Sequence, residues 1–144
     1  MDVERIIKLI GEAEQSLKVL QSISSLSWDI FFSDIRNRYT LRMAVVEVVE
    51  SLVAASVRIL RELKGETRQM GYVEVARRLL DEGILAPSEA DAFEGLIRLR
   101  NIIIHRYWEV DDRRIYEEAR GSGVESIKSI VKGLMDYVLG GGGE

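Results

Sequence analysis

The chain has 144 residues, 47% of them hydrophobic, with a formal net charge of −4, one histidine and no cysteine. That length and apolar content suit a single domain with one core; the missing cysteine excludes disulfides, thiolate chemistry and cysteine-type zinc sites, and the single histidine excludes a His-rich metal site. An acidic chain does not attract nucleic acid as a whole, so any polyanion site must be local.

One proline, no alternation of period two and apolar spacings of 3 and 4 nearly throughout predict an all-α fold. Val3, Ile6, Ile7, Ile10, Ala13, Leu17 and Leu20 make the first amphipathic stripe, followed by a serine-rich joint, "SISSLS". Leu41, Val45, Val48, Leu52, Ala55, Ile59 and Leu63 form the strongest stripe, and Val46, Val49, Val53, Val57 and Leu60 run beside it. A helix apolar over so wide an arc must be covered on more than one side, either at the centre of a bundle or between a core and a dimer contact.

A shorter helix is predicted from Tyr72 to Asp81, with Gly83 as a left-handed stop. Pro87 suits a first helical turn, and Ser88 with Asp91 reads as a capping box. A short helix is expected over Arg113 to Arg120, and Ser122 with Glu125 suggests another box before a final stripe of Val124, Ile127, Val131, Leu134 and Val138. Residues 1–139 are expected to form one helical domain and 140–144, "GGGGE", a flexible tail. The acidic, helix-patterned N-terminus resembles no targeting segment and no apolar run approaches a membrane span, so a cytoplasmic location is expected. The acidic residues make no calcium-type loop, and neither a metal nor another cofactor is implied.

Chemistry concentrates in "LRNIIIHRYW", residues 99–108, which holds the only histidine. On a straight helix at about 100° per residue, Phe93, Ile97, Arg100, Ile104 and Tyr107 share a face, and His105 lies about 140° from Arg100. Arg100 is thus a cation in an apolar stripe, and it needs a carboxylate, backbone carbonyls or a bound phosphate beside it. One unbroken helix does not make Arg100 and His105 neighbours. Either the helix ends or distorts around the Ile102-Ile103-Ile104 run, or a second subunit helps the side chains converge. These groups suit metal-free phosphoryl transfer on RNA. An imidazole exchanges a proton with a 2′-hydroxyl or a 5′-leaving oxygen, and a guanidinium neutralises charge developing on the phosphate.

The stretch "LRNIIIHRYWEVDDRRIY" resembles the R-x4-H-x-Y motif and downstream context of the HEPN superfamily, specifically the HepT-like toxins. "SDIRNRYTLRMAVVEVVESLVAASVRIL" is similar to that family's long helix and "YVEVARRLLDEGILAPSEADAFEGLIRLRN" to its approach to the motif, so the likeness covers roughly residues 1 to 120. The resemblance implies a HEPN-type up-and-down bundle of about four to six helices that forms a homodimer, with the motifs of two subunits facing one cleft. It further implies a metal-independent endoribonuclease toxin whose cognate nucleotidyltransferase antitoxin silences it by attaching AMP to the motif tyrosine.

By this resemblance Arg100, His105 and Tyr107 are the catalytic positions, Asn101 supports them, and Tyr107 is the modification site. Arg98 and Arg106 are candidate RNA contacts. With Arg100, Arg113 and Arg114, set against Glu109, Asp111 and Asp112, they leave a slight local positive excess, to which Arg36, Arg38 and Arg42 are possible additions. The alternative is a non-catalytic nucleotide- or RNA-binding partner of a nucleotidyltransferase. A third reading is a structural helical dimer in which Arg100 pairs with a carboxylate.

Overall fold

The computed structural model describes residues 2–140. Asp2 accepts a hydrogen bond from the Arg5 N–H and opens α1, Val3–Ser24. That helix runs through the first half of the expected serine joint, because Ser24 turns its hydroxyl back to the Gln21 carbonyl and stays buried. Only residues 25–27 link it to α2, Trp28–Ser33, a short helix the periodicity did not reveal. Six residues are too few to establish a 3.6-residue repeat. Its Phe31 is fully buried between Trp28 and Tyr116, and the Tyr116 hydroxyl donates to the Leu26 carbonyl.

Asp34 caps α3, Ile35–Lys64, and Gly65, at φ 68°, ends it. Both apolar stripes of α3 are used within this chain: Leu41, Val48, Val49, Leu52, Ala55, Ile59 and Leu60 are fully buried, while α1, α4, α5 and α7 all pack against the helix. It is therefore the central helix. Its first two turns differ, since Ile35, Tyr39 and Met43, at steps of four, are about half exposed.

Helix α4 spans Tyr72–Asp81, as the periodicity predicts, and Gly83 adopts φ 71° just beyond it, the left-handed conformation that glycine allows without Cβ strain. Helix α5, Pro87–His105, begins on Pro87 as expected, but its cap differs. Pro87 is already its first residue, so Ser88 lies inside the first turn; Glu89 accepts from the Ala86 N–H at 2.8 Å, and the Ser88/Asp91 box does not form. A 3-10 turn over Tyr107–Glu109 leads to α6, Asp112–Glu118, capped by Asp111. The chain then passes through a π turn, Ala119–Gly123, into α7, Val124–Leu139. The Ser122/Glu125 box is absent as well. The chain kinks at Gly121, at φ −84° and ψ −117°, and Gly123 takes the cap position of α7, so Ser122 stands one residue short of it.

Helices α6 and α7 lie on either side of that kink, and the described residues are helical with no strand. Helix α1 lies most extensively on α3, and α5 and α7 complete the bundle around a core that includes Ile10, Leu52, Phe93, Ile97 and Ile130. Arg42 of α3 donates two 2.7 Å hydrogen bonds to Asp112, which pins the start of α6 and with it the loop that follows the motif. This charge-assisted fork also raises the Arg42 pKa. No helix among the described residues is long and apolar enough to cross a membrane. From residue 141 on, the expected tail lies outside the described residues.

Candidate active site

Arg100 meets its requirement for a partner on the surface of α3. Its Nε donates to Glu50 Oε1 at 2.6 Å and its Nη1 to Asn101 Oδ1 at 3.1 Å. The other Glu50 oxygen accepts from the Tyr72 hydroxyl at 2.7 Å, and the guanidinium lies over the Tyr72 ring, 4.7 Å from its centroid. Three helices therefore contribute to one polar cluster: α3 supplies the acid, α4 the aromatic and α5 the cation and its amide neighbour. The Arg100 side chain is 18% exposed and that of Glu50 is 40%, so the pair sits at the edge of the bundle with access to water.

His105 is the last residue of α5 and is exposed, with no hydrogen-bond partner among the described residues. Three consecutive β-branched residues weaken the final turn. Arg106 then leaves helical geometry at φ −140° and ψ 48°, although its N–H still reaches the Ile102 carbonyl. The helix thus ends just past the isoleucine run, one of the two solutions open from the sequence. The straight-helix placement of Tyr107 beside Arg100 does not hold. Tyr107 belongs to the 3-10 turn, 62% exposed, with its ring edge-on to Trp108, itself 69% exposed.

The isoleucines also divide. Ile103 packs against the core, Ile102 is partly covered, and Ile104 is exposed, so the run is not a uniform anchor. Arg100 and Asn101 touch each other; neither is hydrogen-bonded to His105 or Tyr107. His105 stands about 7.5 Å further along the helix axis than Arg100, at about 1.5 Å per residue.

The arginines expected to favour RNA are mostly paired. Arg98 meets Glu94 at 3.6 Å, Arg106 meets Glu109 at 3.3 Å, Arg113 meets Glu117 at 3.0 Å and Arg114 meets Glu118 at 3.1 Å. Glu94, Glu117 and Glu118 fall outside the motif stretch, and including them removes the local positive excess. Upstream, Arg42 is committed to Asp112 and Arg36 to Asp34, while Arg38 lies over the Phe32 ring. Exposed pairs of this kind are weak and exchange readily for a phosphate, whereas the Arg42 pair is structural.

A groove of about 570 Å³ runs between α5, α6 and the start of α7, lined by residues including Leu96, Arg98, Ile102, Asp111 and Arg114. Arg100, His105 and Tyr107 do not line it. Among the described residues, no three acidic or histidine side chains come together as a metal site requires.

Glu50 and Tyr72 complete the Arg100 cluster, and the sequence reading did not name them. A signal existed for Glu50. It stands four residues after Val46 and three before Val53, so it is an acid inside an apolar stripe and the natural complement of an arginine inside another. Tyr72 carried no such mark.

Its phenol pKa is raised above the ordinary tyrosine value, chiefly by the hydrogen bond to Glu50 and then by burial. The folded protein holds this proton more tightly than the unfolded chain does. The contact therefore contributes stability below the usual tyrosine range, and that contribution is lost as the pH rises through the raised value. Alkaline titration of tyrosinate absorbance is expected to show a late component that Tyr72→Phe removes and that moves earlier in Glu50→Gln.

The sequence model of the HepT-like ribonuclease family matches residues 13–133. No curated protein matches the chain. Among solved structures it is similar to the tri-AMPylated HEPN toxin of Shewanella oneidensis in complex with MNT antitoxin, at a TM-score of 0.81 and 16% identity over 94% of this chain and 98% of that one. It is similar also to YutE of Bacillus subtilis, a cytosolic protein of unknown function, at a TM-score of 0.80 and 18% identity over 100% of this chain and 95% of that one. A third likeness is to a toxin-antitoxin structure with AMP-PNP, at a TM-score of 0.80 and 16% identity over 94% and 98%. At these identities the structural likeness establishes the fold.

Proposed function

The chain belongs to the HepT-like ribonuclease family, and we propose that it acts as a metal-independent endoribonuclease, the toxin of a HEPN and nucleotidyltransferase pair in the cytoplasm. The observation that carries this reading is the end of α5. One turn past the Arg100 guanidinium it presents an exposed imidazole with no hydrogen-bond partner among the described residues. A structural histidine is normally spent on a hydrogen bond, and among the described residues His105 is not.

In the proposed reaction His105 removes the proton from a ribose 2′-hydroxyl. The 2′-oxygen attacks the adjacent phosphorus, and the 5′-oxygen departs with a proton, leaving a 2′,3′-cyclic phosphate. Arg100 offers its Nη2, which has no hydrogen-bond partner among the described residues, to the charge developing on the phosphate. Asn101 holds the other side of the guanidinium, and Tyr107 orients the phosphate or stacks on a base. Arg98 and Arg106 exchange their surface carboxylates for RNA backbone.

Each chain brings one histidine, whereas cleavage uses both a base and an acid. A homodimer with two motifs at one cleft supplies the second. The exposure of Ile104, Tyr107 and Trp108 beside the motif is consistent with such a partner surface.

Tyr107 is the proposed point of silencing. Its phenol oxygen gives up its proton and attacks the α-phosphorus of ATP on the cognate antitoxin, forming an AMP ester and releasing pyrophosphate. The product places bulk and negative charge beside the Arg100 and His105 groups. The exposure of Tyr107 gives a transferase access, and the Shewanella protein to which this chain is similar is tri-AMPylated. Co-expression with the transferase from the neighbouring gene is expected to add AMP mass to the Tyr107 peptide and abolish RNA cleavage. Tyr107→Phe is expected to stay unmodified and to retain part of its cleavage in the same cells. A toxin that stays active in spite of full modification would refute the silencing mechanism.

One observation favours the structural reading, in which Arg100 pairs with a carboxylate: Glu50 already engages it, so a phosphate must share it. Modified Tyr107 in a protein that never cuts RNA would instead support the non-catalytic binding partner.

A further inference from the structure

We propose that Glu50 and Tyr72 are positioning residues that lock the Arg100 guanidinium so that one edge faces the substrate phosphate; this rests on the nuclease reading above. The observation is the division of labour around one planar group. Nε is held by Glu50, Nη1 by Asn101, and the flat face by the Tyr72 ring. Nη2 is left over, without a hydrogen-bond partner among the described residues. A free arginine samples many rotamers, and each restraint removed from this one widens the arc over which Nη2 points.

Glu50 is itself restrained, because its second oxygen takes the Tyr72 hydroxyl at 2.7 Å. The acid therefore cannot swing away from Nε without giving up that bond, and Tyr72 acts twice, through its ring and through its hydroxyl. Helix α3 supports the arrangement from beneath, with Val46, Val49 and Val53 around Glu50 all buried. The same ion pair also has the form of an internal competitor for phosphate, and the sign of the Glu50 effect separates the two roles. Restraint of Nη2 predicts a loss on removing the acid; competition predicts a gain.

Two measurements on the full chain decide it. The first follows the Arg100 Nε–H signal in 15N-labelled protein, assigned by its disappearance in Arg100→Ala. Glu50→Gln and Tyr72→Phe are expected to speed its exchange with water by about tenfold, as loss of a charge-assisted or supporting hydrogen bond requires. The second is steady-state cleavage of a short RNA. Tyr72→Phe, which keeps the ring, is expected to lower kcat by about 3- to 10-fold with KM within about 2-fold, whereas Tyr72→Leu and Glu50→Ala lower kcat by about 100-fold, the scale of a small misplacement at a reacting centre.

Tyr72→Phe should unfold cooperatively at a midpoint only slightly below that of the wild type, as the loss of one part-buried hydrogen bond requires, which separates this effect from misfolding. Cleavage by Glu50→Ala equal to or faster than wild type overturns the proposal, as does unchanged Nε–H exchange in Glu50→Gln. If the wild type cuts no RNA, it is the nuclease reading that fails. The proposal is then judged on RNA oligonucleotide binding: weakening in the same order of variants supports it, and equal binding overturns it.

Discussion

Replacing His105 with alanine is expected to lower RNA cleavage by about 10²- to 10⁴-fold, the contribution of a positioned acid–base group, while leaving the unfolding midpoint where it is in the wild type. Both halves follow from the end of α5. The side chain is exposed and has no hydrogen-bond partner among the described residues, so its removal opens no cavity and strands no buried group. The helix ends where it does because of the β-branched run and the non-helical backbone of Arg106, neither of which involves the imidazole. Single-turnover cleavage beside a thermal melt checks both. Equal cleavage by the two proteins would remove His105 from the chemistry. A large drop in the melting midpoint would instead assign it a structural role.

Arg100→Ala is expected to cost about 10²- to 10³-fold in cleavage, as the loss of a preorganised donor to a developing oxyanion does. Unlike the histidine substitution, it should also disturb the cluster behind it. Glu50 loses its cation, and the Tyr72 ring loses the group that covers it. The stability penalty should stay within about 1 kcal/mol, because Glu50 is 40% exposed and water replaces the guanidinium at its oxygens. Arg100→Lys tests the geometry apart from the charge. An ammonium still pairs with Glu50 but cannot engage it, Asn101 and a phosphate in one plane, so the fold should be kept and most of the rate lost. Full cleavage by Arg100→Lys would show that the site needs a positive charge and not an oriented fork.

The fold was legible wherever burial imposes periodicity. The two stripes of α3 mark the helix that the others surround, and Gly83 marks the turn before α5. Of the short helices, α6 was expected close to where it lies and α2 was not. Helix α2 is held by Phe31, Trp28 and Tyr116, an aromatic contact between residues distant in sequence, which no local pattern announces. Capping was over-read twice. A box needs its serine at the cap position, and Ser88 lies inside the turn that the proline begins, while Ser122 precedes Gly123, which caps α7.

For the candidate site, the need of Arg100 for a partner was legible, because a cation in an apolar stripe is visible as a conflict. The sequence did not show that the partner is Glu50, fifty residues upstream, although the matching conflict lay in the α3 stripe. Nor did it show the carboxylates that neutralise Arg98, Arg113 and Arg114. Counting charges within the motif stretch omits Glu94, Glu117 and Glu118, which stand one helical turn from their partners.

The most direct test of the account uses purified protein whose intact mass shows Tyr107 unmodified, incubated with RNA in excess EDTA. The account predicts cleavage that is unaffected by the chelator and leaves 2′,3′-cyclic phosphate ends. RNA that stays intact, or cleavage that EDTA abolishes, would contradict it.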